Sequence, residues 1–311
     1  MGRDRTTALD RDREAAYRRI EQIAPRCTTR DEPLHRHTTM RIGGPADLWV
    51  RPLSVTTALQ ILSFCQRESV PHVVLGRGSN VLVSDSGYRG AVINLSGCFC
   101  RYKRVQNGVR CGAGMRFASV AKKVAEEALS GLEWAVGIPG TVGGAVATNA
   151  GAHGMDTSQV LERLVVMTEG ERRVLSRNVL PFAYRTAGLS GAVIEVELHL
   201  REDSPERVYA AMEHYTNMRK ETQPITERTA GCVFKNPPGD SAGRIIDSLG
   251  LKGISVGGAT VSELHANFIV NRANATAADV VGLIERVTER VMEKTGIQLE
   301  LEIELLGEFV R

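Results

Sequence analysis

The sequence predicts a mixed α+β protein of more than one domain, and three observations lead there. Helical and strand-like segments alternate between residues 46 and 130. Residues 160–200 read as consecutive antiparallel strands, with VIEVELHL the clearest alternation of apolar and polar positions. A polar helical stretch around 206–220 then leads into a second set of helices and strands, so a boundary is expected near 203–222 and a weaker one near 75. A chain of 311 residues suggests two or three domains with ample core.

Taken in order, residues 10–24 read as a short polar helix ending near Pro25. ADLWV is strand-like and TTALQILSFCQRES helical. HVVLG and AVINL read as strands, and CRYKRV with GVRCG as a pair turned at Asn107-Gly108. Over 115–130 the residues Phe117, Val120, Val124 and Ala128 share a helical face, and 131–154 is glycine-rich and irregular. Beyond the second boundary, a turn-rich stretch precedes a helix near 241–249, and NFIVN reads as a strand. Thr276 with Asp279 resembles a capping box, opening a helix that places Val280, Ile284, Val287 and Val291 on one face. LELEIELL is expected to be the final strand.

Composition excludes several classes. Lys and Arg total 39 against 36 Asp and Glu, a net charge of +3, which argues against a nucleic-acid binder. Aromatics are 5%, which leaves few stacking platforms for single strands. No run approaches the roughly 18 apolar residues of a membrane span. The first twenty residues hold six arginines and four acids with no apolar core, so a secretory signal is not expected. The cysteines (Cys27, Cys65, Cys98, Cys100, Cys111 and Cys232) are scattered through a chain too large to need staples. They are expected to be reduced, in the cytoplasm. His35-x-His37 and Cys98-x-Cys100 each lack a convincing second pair, so no metal site is expected.

Glycine is the outlier, at 31 residues. Gly76-Arg77-Gly78-Ser79-Asn80 follows the strand HVVL, where bare backbone N–H groups can cradle a diphosphate and Ser79 and Asn80 add polar ligands. It is not a dinucleotide fingerprint, because Val81 stands where the third glycine belongs, nor a P-loop. By itself it reads equally as a plain tight turn. A second stretch runs Gly137-Ile138-Pro139-Gly140-Thr141-Val142-Gly143-Gly144-Ala145 and then Thr148-Asn149-Ala150-Gly151-Ala152. A linker would carry more Ser and charge. This stretch is uncharged and interleaved with Val, Ile and Ala, and a buried backbone must satisfy its polar groups. A cradle for a large ligand is therefore the stronger reading. Ile42-Gly43-Gly44-Pro45 is by itself an ordinary turn.

Together with HTTMRIGGPADLWV, FAYRTAG, TAGCVFKNPPGDSAGRIIDSLGLKG, HANFIVN and GIQLELEIELLGE, these glycine stretches resemble the MurB family of UDP-N-acetylmuramate dehydrogenases. The motifs occur in family order over about 33–308. The short length and the HANFIVN form resemble the subgroup lacking an extra substrate-covering loop. The resemblance implies a vanillyl-alcohol-oxidase/PCMH-type FAD-binding fold with a C-terminal α+β substrate domain. The segments would be an N-terminal extension (1–25), two FAD-binding subdomains (26–75 and 76–205) and the substrate domain (206–311). It implies non-covalent FAD, NADPH as hydride donor and a UDP-sugar substrate, the product being UDP-N-acetylmuramate for peptidoglycan. A monomer is favoured, without membrane insertion.

That chemistry adds hydride and a proton across an enol ether, which calls for positive charge or an acid near the substrate carboxylate and a proton donor at the other alkene carbon. By the resemblance, Arg185 in Phe182-Ala183-Tyr184-Arg185 is the catalytic arginine and Glu302 the catalytic carboxylate. From its surroundings alone, Arg185 reads as a surface arginine. Alternation puts Glu300, Glu302 and Glu304 on one strand face, so periodicity does not single out Glu302. Cys232 is the main departure, standing where the family has a proton-donating serine. A thiol with an ordinary pKa of about 8.5 is a stronger acid than an alcohol. Lys235 and Asn236 match contacts to the diphosphate and uridine side, with Arg244 a further candidate. His265 and Asn267 read as structural polar groups near the pocket. FAD contacts are expected from Gly76, Gly78, Ser79, Asn80, Pro139, Gly140, Gly143, Gly144, Asn149, Ala150 and Gly151. A flavin oxidase on the same fold and a non-catalytic UDP-sugar or flavin sensor stay open at this point.

Overall fold

The structure, a computed structural model, describes residues 2–309, and of residues 2–10 only the backbone. The chain divides into two compact units, each assembled from separate segments. The first takes in residues up to Glu32, Ala46–Gly76 and Arg89–Met212; the second takes in Pro33–Pro45, Arg77–Tyr88 and everything from Glu213 on. The last of these divisions falls between Met212 and Glu213.

The first unit opens with α1 (Gly2–Ile23), longer than the predicted 10–24. Tyr17, Ile20 and Ala24 lie in one core with Leu48, Val50 and the buried face of α2 (Val55–Arg67), namely Ala58, Ile61, Leu62 and Cys65. The Tyr17 hydroxyl donates to Asp47 Oδ2 at 3.0 Å. Ser54 caps α2 by accepting from the Thr57 amide. One sheet has the order Thr28–Pro33, Pro45–Val50, Tyr88–Ile93, His72–Val74. A five-stranded antiparallel sheet has the order Glu171–Ser176, Leu161–Thr168, Ala192–His199, Gly108–Gly112, Tyr102–Val105, so the 160–200 strands pair as predicted.

The helix expected over 115–130 is α3 (Phe117–Glu126). It stops because Ala128 turns left-handed (φ 55°) and Leu129–Ser130 pair with Arg201–Glu202. The irregular glycine region contains a short helix, α4 (Val142–Ala147). The unit ends at Met212, partway along α5 (Pro205–Thr222).

The second unit is an antiparallel sheet in the order Thr229–Cys232, Phe268–Asn271, Ala259–Val261, Ser255–Val256. α6 (Ala242–Ser248) and α7 (Ala277–Thr295) supply Ile245, Ile246, Val280, Leu283, Ile284, Val287 and Val291 to its core, which also takes in Met40, Ile42 and Leu82. The α7 capping box is present: Thr276 accepts from the Asp279 amide and Asp279 from the Thr276 amide. Gly296 ends α7 in the left-handed conformation.

LELEIELL does not form one strand. Only Glu304–Leu306 is regular strand, parallel to Val81–Val83. Its upstream part pairs elsewhere, with Leu301 opposite Phe234. The two halves turn to different partners, so the three glutamates do not share one environment. Side-chain exposure is 73% at Glu300, Glu302 is half-buried, and Glu304 is exposed.

Candidate active site

In the first unit the chain leaves His72–Val74 at a turn fixed by Asn94, whose Nδ2 donates to the carbonyls of Leu75 (2.8 Å) and Gly76 (2.9 Å). A Cβ on Gly76 would lie 2.6 Å from Thr141 Oγ1, so glycine is what lets the two loops meet. Thr141 in turn caps α4 by accepting from the Gly144 amide at 3.3 Å. The two glycines of α4 differ in purpose. A Cβ on Gly143 would lie 3.0 Å from the Ala113 Cβ, and the Gly143 amide donates to the Ala113 carbonyl at 2.9 Å: this glycine is a packing requirement. A Cβ on Gly144 would meet only Thr141 Oγ1, at 3.5 Å. Pro139 and Gly144 are exposed in a stretch whose neighbours Ile138, Val142, Ala145 and Val146 are buried. This uncharged surface of bare backbone fits a large ligand such as a flavin dinucleotide.

The end of that stretch is held by side chains. Asn149, buried with φ 43°, accepts from the Ser158 amide at 3.0 Å and donates to the Ala183 carbonyl at 3.1 Å. Its amide is thus used inside the protein, and the backbone of Ala150 and Gly151 is what it positions. The Ala150 carbonyl is taken by Thr157, through its amide (3.0 Å) and its hydroxyl (2.9 Å). Arg185 joins the group: its Nη1 donates to the Gly151 carbonyl at 3.1 Å, and its guanidinium lies 5.2 Å from the centroid of the Tyr184 ring. Arg185 has φ 60°, a left-handed backbone that is costly for a residue with a side chain. Gly76, the 139–151 segment and Arg185 are therefore brought together within one unit.

Gly78, Ser79 and Asn80 lie in the second unit. Gly78 has φ 57°, and a Cβ there would lie 2.5 Å from the His37 carbonyl oxygen. Thr39 ties this loop to the strand leading to Cys232: its amide donates to the Gly78 carbonyl (3.1 Å) and its hydroxyl to the Thr229 carbonyl (2.7 Å). Asn80 reaches the C-terminal segment, its Nδ2 donating to the Glu302 carbonyl (3.1 Å) while its own carbonyl accepts from the Glu304 amide (2.9 Å). Cys232 ends the strand Thr229–Cys232 opposite Phe268. The next residue, Val233, accepts from the Glu302 amide at 2.8 Å, and the Lys235 amide donates to the Glu300 carbonyl at 2.8 Å. The segment that carries Glu302 thus pairs through its backbone with the residue that follows Cys232, and the Gly78–Asn80 loop is bonded to the same segment.

Asn267, buried at 3% exposure, is the clamp on this turn. Its Nδ2 donates to the Phe234 carbonyl (2.8 Å) and its Oδ1 accepts from the Phe234 amide (2.9 Å), while its own carbonyl accepts from the Val233 amide (2.8 Å). The Asn267 amide donates to His265 Nδ1 at 3.2 Å, which requires an unprotonated Nδ1. Burial, then the nearby Lys252, holds His265 below its ordinary value and keeps that nitrogen free. An asparagine entering a buried strand must have its amide satisfied, and that signal was available in the sequence. Thr39, Thr141 and Asn94 gave none, because their partners are distant in sequence.

The substrate-side candidates are engaged as follows. Lys235 Nζ lies 3.3 Å from Glu300. Asn236 Oδ1 accepts from the Ala242 amide at 3.1 Å, at the start of α6. Arg244 is ion-paired with Asp240 one helical turn away, with its side chain 67% exposed. Among the other thiols, burial pushes Cys65 and Cys111 up to about 12, which makes them inert, whereas Cys232 is half-buried. Among the described residues no group of three or more His, Cys, Asp or Glu side chains is placed to hold a metal ion.

Residues 46–176 match the family model described as FAD binding domain. The molecule is an FAD-dependent oxidoreductase with the α+β FAD-binding fold expected from the sequence, followed by a C-terminal α+β domain. Residues 223–306 match the model described as UDP-N-acetylenolpyruvoylglucosamine reductase, C-terminal domain. The chain is 45% identical to UDP-N-acetylenolpyruvoylglucosamine reductase 2 of Symbiobacterium thermophilum, over 89% of this chain and 92% of that protein. To the UDP-N-acetylenolpyruvoylglucosamine reductase of Bacillus subtilis it is 41% identical, over 89% and 93%. The crystal structure of UDP-N-acetylenolpyruvylglucosamine reductase from Thermus caldophilus superposes with a TM-score of 0.79 at 39% identity, covering 90% of this chain and 98% of that one. The chain belongs to the UDP-N-acetylenolpyruvoylglucosamine reductase family.

Proposed function

We propose that this protein reduces the enolpyruvyl ether of UDP-N-acetyl-3-O-(1-carboxyvinyl)-glucosamine to UDP-N-acetylmuramate, with NADPH as the source of electrons, for peptidoglycan synthesis in the cytoplasm. The observation that supports the reading is the junction in the second unit, where the Glu302 amide bonds the carbonyl of Val233, the residue after Cys232, and Asn80 bonds the glycine loop to Glu302. The division of labour belongs to the proposal: an extension over 1–25, FAD held by 26–75 and 76–205, and the UDP-sugar by 206–311. No helix among the described residues is long and apolar enough to cross a membrane.

Residues Gly76, Gly78, Ser79, Asn80, Pro139, Gly140, Gly143, Gly144, Asn149, Ala150 and Gly151 hold the cofactor, some by bare backbone and others, such as Asn149 and Gly143, by fixing that backbone. Bound FAD supplies hydride to the alkene carbon β to the substrate carboxylate. Arg185 pairs with that carboxylate and offsets the negative charge that builds on it as an enolate, a task suited to a cation that does not deprotonate. Glu302, in its protonated form, donates a hydrogen bond to the same group. Cys232 then transfers its Sγ–H proton to the α carbon, leaving a thiolate that is reprotonated from water. Lys235, Asn236 and Arg244 orient the diphosphate and uridine side. NADPH added without air should bleach the flavin absorption of the purified protein, and the enolpyruvyl substrate should restore it while one UDP-N-acetylmuramate forms per flavin. Restoration by oxygen but not by the substrate would contradict the assignment.

A further inference from the structure

Arg185 lies in a turn whose ends, Ala183 and Thr186, exchange both backbone hydrogen bonds, at 2.9 and 3.2 Å. Its φ of 60° is costly for a residue with a side chain, so the turn needs anchors outside itself. Of residues 181–190 only Ala187 is buried, so apolar packing does little to hold the loop. Polar and ring contacts hold it instead, and they form a closed circuit. Asn149 Nδ2 donates to the Ala183 carbonyl (3.1 Å), and Asn149 Oδ1 accepts from the Ser158 amide (3.0 Å). The Ser158 carbonyl accepts from Arg177 Nε at 2.9 Å, and the Arg177 guanidinium lies over the Phe182 ring, 4.8 Å from its centroid. Phe182 is covalently joined to Ala183, which closes the circuit two residues before Arg185. From the other side, Arg185 Nη1 reaches the Gly151 carbonyl at 3.1 Å, two residues past Asn149. Arg177 is half-buried and has no part in the mechanism above. A guanidinium suits both of its contacts at once, because its plane stacks on a ring while its edge donates.

We propose that Arg177 is a positioning residue for the reduction of the substrate: it clamps Phe182 to the Ser158 backbone and so fixes the turn from which Arg185 meets the substrate carboxylate. Arg177 itself touches neither substrate nor flavin in this account. Its effect passes through two contacts, one to a ring and one to a carbonyl, and both end within the circuit that carries Arg185. Asn149 holds the same turn at Ala183, so without Arg177 the turn keeps one anchor and loses the other. Loosening, rather than collapse, is the expected result. The inference rests on the reading of Arg185 given above.

The test is single-turnover reoxidation of the prereduced, FAD-loaded protein by saturating enolpyruvyl substrate. Misplacing a reacting group by about 1 Å costs about 10²-fold, and a loosened turn that still visits the right geometry loses less, so Arg177→Ala should slow the step about tenfold. Flavin content and flavin reduction by NADPH should stay at wild type. The same substitution made on top of Arg185→Ala should change the rate by less than about twofold, because no guanidinium is left to aim; a purely structural role would slow both backgrounds alike. Phe182→Leu should match Arg177→Ala, and the two together should lose little more than either alone. Arg177→Gln takes the place of the alanine variant should that one lose FAD, and loss of FAD from both would make Arg177 structural and overturn the proposal. An unslowed Arg177 variant, or one slowed equally with and without Arg185, also overturns it and leaves the reading of Arg185 standing. Normal reoxidation in Arg185→Ala alone would remove the residue that Arg177 is said to aim, and the proposal with it.

Discussion

Asn267→Ala tests how strongly the second unit fixes its reactive turn. The substitution removes both side-chain bonds to Phe234, the 2.8 Å donation to its carbonyl and the 2.9 Å acceptance from its amide. Phe234 is itself buried at 2%, so both backbone groups lose their partners away from solvent. Each buried unsatisfied group costs about 1–3 kcal/mol, for a combined loss of about 2–6 kcal/mol before any entry of water. The turn carries Cys232 and Lys235, and a displacement of about 1 Å is enough to lower a rate about 10²-fold. Two assays read the two links. Urea denaturation followed by tryptophan fluorescence and by flavin release should show the destabilisation. Stopped-flow measurement of the two half-reactions should show flavin reduction by NADPH unaffected and reoxidation by substrate slowed. Asn267→Asp, which keeps the acceptor but loses the donor, should fall between the two. Unchanged stability together with unchanged reoxidation in Asn267→Ala would refute the clamp.

Other expectations follow from the same geometry. Arg185→Ala and Glu302→Gln should each spare flavin reduction and slow reoxidation; normal reoxidation in both would remove them from the mechanism. Gly144→Ala should fold normally, since its Cβ would meet only Thr141 Oγ1 at 3.5 Å, yet bind FAD more weakly, whereas Gly143→Val should strain the packing on Ala113 and lower stability first. Thermal unfolding and flavin content separate the two glycines. Asp279 is held below its ordinary value of 3.8, chiefly by the Thr276 amide. Its depressed value means that its contribution is fully present above that ordinary value and is lost as pH falls through the folded one. Asp279→Ala should therefore cost about 1 kcal/mol near neutrality, with the gap to wild type closing in acid; a gap that stays constant down to the lowest pH would count against the cap.

The elements with local signatures were legible in the sequence. Alternation gave the 160–200 strands, and the Thr276 and Asp279 pair marked the start of α7. What periodicity could not show was the partner of each backbone. LELEIELL reads as one strand, yet its amides go to Val233 at one end and to the Asn80 loop at the other, a division set by tertiary pairing. The same limit hid the unequal roles of Gly143 and Gly144, which turn on Ala113, about thirty residues away. Nor does any local signal pick Glu302 from its neighbours: the Glu302 amide meets the Val233 carbonyl, and the Glu300 side chain goes to Lys235.

The central claim is that a thiol delivers the proton, and it is tested most directly by single-turnover reoxidation of prereduced enzyme with the enolpyruvyl substrate. Wild type, Cys232→Ser and Cys232→Ala would be compared at one pH. Removal of a positioned acid typically costs about 10²-fold or more, so the alanine variant should lose that much while the serine variant keeps substantial activity. An alanine variant that reoxidises at the wild-type rate would contradict the account and assign the proton to another residue or to water.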